Sequence, residues 1–461
     1  MTFDPTIFRE YDIRGVVGTN FGEAEVYAIG LAFAKRAGGL VCIGRDGRLS
    51  SPLLADALKK GLMDGGADVV DVGLGPTPML YYAAYSMKAA GGVMVTGSHN
   101  PPDHNGLKFV LKNKAFYGAD IQALRSSCGL SSSSAGSIHI AQDPAQKLRF
   151  SQDDRVFNEY VAKLLAAYDG TRDLKVAWDA GNGAAGEAMV SLCDTLAGEH
   201  ILLNEVIDGL FPAHHPDPTV PKNLVQLIDA VRSQSCDIGI AFDGDGDRIG
   251  VVDDEGEILW GDQLLMLYAA DVLREKPGAT IIADVKASGA LFEEVKRLGG
   301  VPLMWKTGHS LIKSKMAETG APVAGEMSGH IFFADKYYGF DDALYAAVRT
   351  LGILSRSGKK LSDMRKALPQ RINTPEIRFE SDDLRKFIVI DEVKARLVAE
   401  GADFSDVDGV RVNRQQGWWL LRASNTQPML VARAESVDAA GLDALMQDLK
   451  AQLALSDVVL P

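Results

Sequence analysis

Leu40-Val41-Cys42-Ile43-Gly44-Arg45-Asp46-Gly47-Arg48 opens the first regular pattern in this 461-residue chain. Val41 to Gly44 reads as a strand and Arg45 to Arg48 as a loop, and Leu53, Leu54, Ala57, Leu58 and Leu62 follow at helical spacing. A second strand, Ala67 to Val72, completes a β-α-β unit. The pattern recurs. Lys175-Val176-Ala177-Trp178-Asp179 leads through Gly181-Asn182-Gly183 into a helical stretch, and Thr280-Ile281-Ile282-Ala283-Asp284 leads through Ala287-Ser288-Gly289 into another. Each copy has a strand ending near an acidic residue, a small-residue loop and a helix, which predicts three related α/β domains over 1–152, 153–257 and 258–369.

After about Pro369 the pattern changes. Short strands around Val410–Val412, Trp418–Leu421 and Met429–Ala432 lie between two helices, one carrying Leu384, Phe387, Ile388, Val393 and Leu397, the other Leu442, Leu445, Met446 and Leu449. This predicts a small α+β domain with an antiparallel sheet over 370–461, able to act as a lid. Three irregular stretches are expected at the surface. Phe8-Arg9-Glu10-Tyr11-Asp12-Ile13-Arg14-Gly15 is too charged for a core strand and reads as a lead-in ending in a glycine turn. Ser126 to Ser137 is nearly devoid of apolar residues and reads as a flexible excursion. His214-His215-Pro216-Asp217-Pro218 reads as a rigid turn rather than a metal site, because matching ligands are missing.

Hydrophobic residues make up 46% of the chain and charged residues 24%, values ordinary for a soluble globular protein of three to four domains. The formal net charge of −13 argues against nucleic acid or an anionic membrane as partner. It also means that a phosphorylated substrate needs a site with its own cations. Cys42, Cys128, Cys193 and Cys236 are widely spaced, which fits buried residues in a reducing cytosol rather than disulfides or zinc. Met1-Thr2-Phe3-Asp4-Pro5 has no basic and no apolar segment of an export signal, so a cytoplasmic location is expected, with no obligatory protein partner evident.

Each β-α-β copy is followed by a strand that delivers an unusual loop, and loops beyond strand carboxyl ends are where open α/β sheets bind ligands. The three loops are therefore expected to converge on one cleft. After the first copy, Gly92-Val93-Met94-Val95 runs into Thr96-Gly97-Ser98-His99-Asn100-Pro101-Pro102. Glycine before the serine and prolines behind Asn100 stiffen the turn and hold the Ser98 hydroxyl out. After the second, Phe242-Asp243-Gly244-Asp245-Gly246-Asp247-Arg248 joins two strand-like runs. Three carboxylates at alternate positions, with glycines that let the loop curl, suit one hard cation such as Mg²⁺. An EF-hand is excluded, since position 6 would be Arg248 and position 12 Asp254.

After the third copy, Gly325-Glu326-Met327-Ser328-Gly329-His330 offers groups for paired hydroxyls, as on a sugar. In the last domain, Arg422-Ala423-Ser424-Asn425-Thr426-Gln427-Pro428 combines a guanidinium with neutral donors, the chemistry of a phosphate cradle. Lys286 and Lys306-Thr307-Gly308-His309 add donors. A Gly-x-x-x-x-Gly-Lys-Ser/Thr loop is absent from the sequence, so a nucleoside triphosphate is not expected. Together the loops specify phosphoryl transfer to and from a sugar phosphate.

These four loops, in this order, resemble the α-D-phosphohexomutase family, and within it the bacterial phosphomannomutase/phosphoglucomutase branch, over essentially the whole chain. The resemblance implies a heart-shaped isomerase: three similar α/β domains with mixed sheets, plus a C-terminal α+β domain resembling the TATA-binding-protein fold, around a central cleft. It implies a phosphorylated Ser98 and Mg²⁺ bound by Asp243, Asp245, Asp247 and the Ser98 phosphate. Phosphoserine would donate to a hexose monophosphate, and the hexose 1,6-bisphosphate, also an activator, would turn over and return its other phosphate. Arg422, Ser424, Asn425 and Thr426 would hold the distal phosphate, and Glu326 and Ser328 the sugar O3 and O4. Tyr11, Arg14, Arg248, Lys286 and His309 would face the same cleft, and Lys108, His309 and His330 are candidates for moving the hydroxyl proton.

A site reading O3 and O4 tolerates both mannose and glucose, which differ at C2. Gly97 and Asn425 point away from the related phosphoglucosamine mutases, while Gln427 stands where many relatives have Glu. Two alternatives of another class stay open. Asp243-Gly244-Asp245 also resembles the nucleophile motif of haloacid-dehalogenase-type phosphatases, which would leave Ser98 unexplained, and a catalytically inactive sugar-phosphate sensor would bind without turnover.

Overall fold

The computed structural model describes residues 3–128, 150–153, 155–382, 384–424 and 427–460. They form two compact units, Met1–Leu259 with Ser328–Ser362, and Trp260–Met327 with Asp363–Pro461.

In the first unit the predicted β-α-β motif is strand Leu40–Arg45, helix Ser51–Asp64 and strand Asp68–Leu74, the strands parallel. Leu40–Arg45 also pairs in parallel with Gly91–Val95, whose other neighbour, His104–Leu111, runs antiparallel, so the sheet is mixed. Gly91–Val95 is buried at every position, as its unbroken apolar run requires. Helix Ser51–Asp64 crosses helix Glu23–Ala37 so closely that a Cβ on Gly61 would lie 2.1 Å from the Tyr27 carbonyl oxygen. Leu54, Leu58 and Leu62 face the core, while Leu53 is exposed.

The second sheet repeats the plan. Leu174–Asp179 lies parallel to Gly198–Leu203 and to Ile238–Phe242, and Ile238–Phe242 turns back antiparallel into Ile249–Asp253. The segment Ser328–Ser362 completes the unit with strand Ile331–Phe333 and the largely buried helix Ala343–Ser357. Asp342 caps that helix by accepting from Tyr345 N, and the Tyr160 and Tyr337 hydroxyls donate to the same carboxylate.

The second unit contains the third β-α-β copy, with parallel strands ordered Val301–Trp305, Thr280–Asp284, Val323–Gly325. It also contains the C-terminal antiparallel sheet, ordered Ile372–Asn373, Met429–Ser436, Gly417–Ala423, Val410–Arg414, Phe404–Ser405, with Ile377–Glu380 on the Met429–Ser436 strand. Helices Arg385–Glu400 and Ala439–Ala454 accompany it, giving the expected α+β layer. Arg411 Nη1 donates to the Val285 and Ala287 carbonyls at 2.7 Å, and its guanidinium stacks 3.7 Å from the Trp418 ring centre, which ties this sheet to the loop after Thr280–Asp284.

Three expectations are corrected. Phe8 to Gly15 is no exposed lead-in: Ile13–Val16 is an edge strand paired antiparallel to His104–Leu111, with Phe8 and Ile13 buried. Ile13 turns in and Arg14 outward, as an edge strand permits, and the buried Asp12 accepts from Arg14 Nε at 2.7 Å. Leu384, Phe387 and Ile388 do not share the core face of their helix; Val389, Val393 and Leu397 form that face and the other three are exposed. Ser126 and Ser127 belong to helix Ala119–Cys128, whose Cys128 is buried, and the rest of the serine-rich stretch lies outside the described residues. All four cysteines are buried thiols, and burial pushes Cys42, Cys128 and Cys193 up to about 12. No helix among the described residues is long and apolar enough to cross a membrane.

Candidate active site

Ser98 sits in left-handed backbone conformation, with φ of 52°, at the carboxyl end of Gly91–Val95. Such a φ costs a non-glycine residue energy and persists only where surroundings enforce it. Here they do: Thr96 Oγ1 accepts from Ser98 N at 2.8 Å, and Asp46 Oδ2 accepts from Gly97 N at 3.1 Å. Arg48, itself buried, donates to the carbonyls of Ser98, Asn100, Pro101 and His104. The serine is therefore not presented to solvent as the turn chemistry suggested. It is 1% exposed and faces another loop of its own unit.

That loop is the tight connection from Ile238–Phe242 to Ile249–Asp253, as expected. Gly244 lies so close to the serine that a Cβ there would come within 2.4 Å of the Ser98 carbonyl oxygen. Ser98 Oγ lies 3.3 Å from Asp243 Oδ2 and 3.2 Å from His99 Nδ1. Burial, together with the Arg248, Arg14 and Lys108 charges, holds the His99 ring well below the usual histidine range, so it is neutral.

Asp243, Asp245 and Asp247 are all 0% exposed. Lys108 Nζ donates to Asp245 Oδ2 at 2.7 Å and to Asp247 Oδ2 at 2.5 Å. These partners outweigh burial and keep Lys108 charged, its pKa raised. Asp243 is pushed well above the carboxylate range, by burial first and then by the charges of Asp247 and Asp245. One ammonium does not balance three buried carboxylates. Asp245 Oδ1 and Asp247 Oδ1 are buried with no hydrogen-bond partner, while ligand oxygens from all three aspartates lie within 4.8 Å of one another. Oxygen-only donors with unused lone pairs fit a hard divalent cation.

His330 and Arg248 join the same cluster. Arg248 Nε donates to His330 Nε2 at 3.0 Å, which leaves the ring proton on Nδ1, 3.0 Å from Asp341 Oδ2 and 3.6 Å from Asp247 Oδ1. Arg14 reaches the serine loop by donating from Nη1 to Asn100 Oδ1 at 3.0 Å. Tyr11 is half-buried just ahead of the edge strand. Ser328 is part of this unit as well. Arg48, Thr77 and Asp341 were not singled out from the sequence. Thr77 Oγ1 donates to Asp245 Oδ2 at 2.5 Å, and the one local signal for it was a Thr-Pro helix start.

The second unit holds the remaining candidates. Glu326 Oε1 accepts from Gly308 N at 2.5 Å, next to His309, the buried first residue of helix His309–Thr319, whose Nδ1 accepts from Lys313 Nζ at 3.3 Å. Arg422 Nε and Thr307 N both donate to Asp408 Oδ2, which links the predicted phosphate loop to the Lys306–His309 turn. Ser424 Oγ accepts from Gln427 N, while Asn425 and Thr426 lie outside the described residues. Lys286 Nζ pairs with Glu376 Oε2 at 3.2 Å and lies 3.8 Å from Asp284 Oδ2. Burial, opposed by Lys286 and reinforced by the Glu326 charge, raises Asp284 to about 6.

The paired histidines form a turn, as expected: His214 Nε2 bonds Asp179 Oδ2 at 2.8 Å and Nδ1 donates to the His215 carbonyl at 3.0 Å.

Comparison with known proteins places the chain in a family. Residues 5–127, 157–256 and 260–372 match "Phosphoglucomutase/phosphomannomutase, alpha/beta/alpha" domains I, II and III, and residues 376–452 match the C-terminal domain of the same family. The phosphomannomutase/phosphoglucomutase of Pseudomonas putida is 46% identical over 452 residues, covering 97% of this chain and 95% of its own. The phosphoglucomutase of Neisseria meningitidis serogroup A is 44% identical over 455 residues, covering 96% of each. The crystal structure of a phosphoglucomutase/phosphomannomutase family protein from Burkholderia thailandensis superposes with a TM-score of 0.90 at 41% identity, covering 99% of this chain and 98% of its own. The fold and site define a sugar-phosphate mutase architecture. The chain belongs to the phosphoglucomutase/phosphomannomutase family.

Proposed function

We propose that the protein reversibly interconverts hexose 1-phosphate and hexose 6-phosphate, acting on mannose and glucose esters, with Ser98 as the phosphoryl carrier. The observation that carries this reading is the Ser98 hydroxyl 3.3 Å from Asp243, inside a buried triad of carboxylates. In the forward half-reaction the bond from phosphorus to Ser98 Oγ breaks as the substrate hydroxyl oxygen bonds to phosphorus. The hydroxyl proton leaves and Ser98 Oγ is reprotonated. The second half-reaction reverses these changes from the other phosphate of the hexose 1,6-bisphosphate.

Asp243, Asp245 and Asp247 would hold Mg²⁺ with the Ser98 phosphate, and the ion supplies charge neutralisation at the transferring group. Lys108, fixed as an ammonium, adds positive charge beside them. Lys108, His309 and His330 are the candidates for moving the hydroxyl proton, and Arg248 Nε, donating to Nε2, sets the His330 tautomer. Arg14, Arg248 and Tyr11 contribute binding groups from the first unit. Lys286, His309, Glu326, Arg422, Ser424, Asn425 and Thr426 are assigned to the sugar and distal phosphate, together with Ser328. The cytosol is the proposed compartment.

³¹P NMR with Mg²⁺ and trace hexose bisphosphate tests the reading. Mannose 1-phosphate is expected to convert to its 6-phosphate while glucosamine 1-phosphate is largely untouched. Preference for the amino sugar, or free phosphate as the main product, overturns it. The phosphatase alternative needs Asp243 as nucleophile, but Asp243 Oδ1 already accepts from the Asp247 and Arg248 amides at 3.0 and 3.1 Å.

A further inference from the structure

Arg48 is 1% exposed and lies beside the Ser98 loop, on the turn after the first parallel strand. A guanidinium has five N–H donors in a rigid planar fork. All of its donors are used. Nη2 donates to Ser98 O at 2.8 Å and Asn100 O at 2.6 Å, Nη1 to Pro101 O at 2.5 Å and His104 O at 3.1 Å, and Nε to Asp46 Oδ2 at 3.2 Å. Asp46 completes the frame, since its Oδ2 also accepts from Gly97 N and its Oδ1 from Arg48 N and Ser51 Oγ.

The guanidinium cannot shift within this frame. On one side a Cβ at Gly97 would lie 2.4 Å from its Cζ and Nε and 2.8 Å from the His104 carbonyl. The Phe211 ring lies 5.1 Å away, and a Cβ at Gly209 would come within 2.5 Å of Arg48 Cα. A buried cation that spends four of its five donors on the carbonyls of one turn, between Ser98 and His104, has one evident use. We infer that Arg48 is the positioning residue that holds the Ser98 backbone in its left-handed conformation and so aims Oγ at the metal-binding loop. It touches neither substrate nor the reacting oxygen. The inference rests on the reading of Ser98 as the phosphoryl carrier.

Lysine in this place keeps the charge but has three donors and no plane, so it cannot serve five acceptors. Misplacing a reacting group by about 1 Å costs on the order of 100-fold in rate. Arg48→Lys, checked for folding by circular dichroism and for Mg²⁺ binding by calorimetry, is therefore expected to lose about 100-fold in kcat with KM within about twofold. Acid-stable labelling of Ser98 from hexose 1,6-bisphosphate, followed by intact mass, should slow by a similar factor. Wild-type kcat and labelling in folded Arg48→Lys overturn the inference.

If Arg48→Lys does not fold, Gly97→Ala replaces it as the test. It keeps the guanidinium but drives a methyl into its face, and the same loss of kcat and labelling is expected; an unchanged rate refutes the arrangement. Ser98→Ala separates the two claims. An active Ser98→Ala enzyme ends the carrier reading, whereas an inactive one beside a fully active Arg48→Lys ends only the role of Arg48.

Discussion

Ser98 Oγ and Asp243 Oδ2 stand 3.3 Å apart across 145 residues of sequence, each at the carboxyl end of a parallel strand of its own sheet. Two copies of one β-α-β plan thus supply the proposed phosphoryl carrier and the first of the proposed metal ligands. Ser98→Ala deletes one oxygen and little packing. We expect loss of mutase activity by at least about 10³-fold, with stability within about 1 kcal/mol of wild type. Chemical denaturation and the ³¹P assay check both parts, and retained turnover would remove the carrier role.

Chelation is expected to abolish activity, and Mg²⁺ to restore it. Asp243→Asn withdraws a proposed ligand whose Oδ2 faces Ser98, so calorimetric Mg²⁺ affinity should fall at least about tenfold. The stabilisation of wild type by Mg²⁺ in a melting experiment should shrink accordingly. A variant that binds as tightly as wild type would exclude Asp243 from the ligand set.

Lys108 bridges Asp245 and Asp247 with all three side chains buried. Lys108→Met leaves the carboxylates uncompensated, at a cost of about 3–5 kcal/mol in chelated protein. Saturating Mg²⁺ should narrow that deficit, because the ion replaces the missing positive charge. Equal destabilisation with and without Mg²⁺ would show that Lys108 acts through packing.

Glu376 pairs with Lys286 at 3.2 Å and with Arg378 at 2.6 Å. Burial raises its pKa, but Lys286 and then Arg378 outweigh that and bring it from an ordinary 4.5 to about 2. A depressed carboxyl pKa adds stability that is fully present above the unfolded value and is lost as pH falls through the folded one. Glu376→Gln should therefore be less stable than wild type at pH 7 by about 2 kcal/mol, allowing for partial solvent screening. The difference should fade between about pH 4.5 and 2. Urea titrations across pH check this, and a constant difference would refute the ion-pair account.

Local pattern carried much of the architecture. Strand runs such as Ile238–Phe242 and helix spacings such as Leu54, Leu58 and Leu62 are legible because burial repeats with the period of the element. The carboxylates of Asp243, Asp245 and Asp247 were legible for a similar reason, since they alternate with glycines over a few residues. Where periodicity failed, a tertiary neighbour decided. The first turn of helix Arg385–Glu400 carries exposed Phe387 and Ile388, and the charged stretch before Gly15 pairs as an edge strand.

By itself the sequence determined the three β-α-β repeats, the C-terminal α+β layer and the kinds of chemical group each loop carries. All of these follow from short-range spacing. The tertiary structure decided that Ser98 is buried rather than presented, that Lys108 lies between two aspartates, and that Arg248 donates to His330. It also decided that the donors of Arg48 are spent on the serine loop. The physical reason is common to them: desolvation and charge pairing depend on distance in space, and their partners come from strands and loops far apart along the chain.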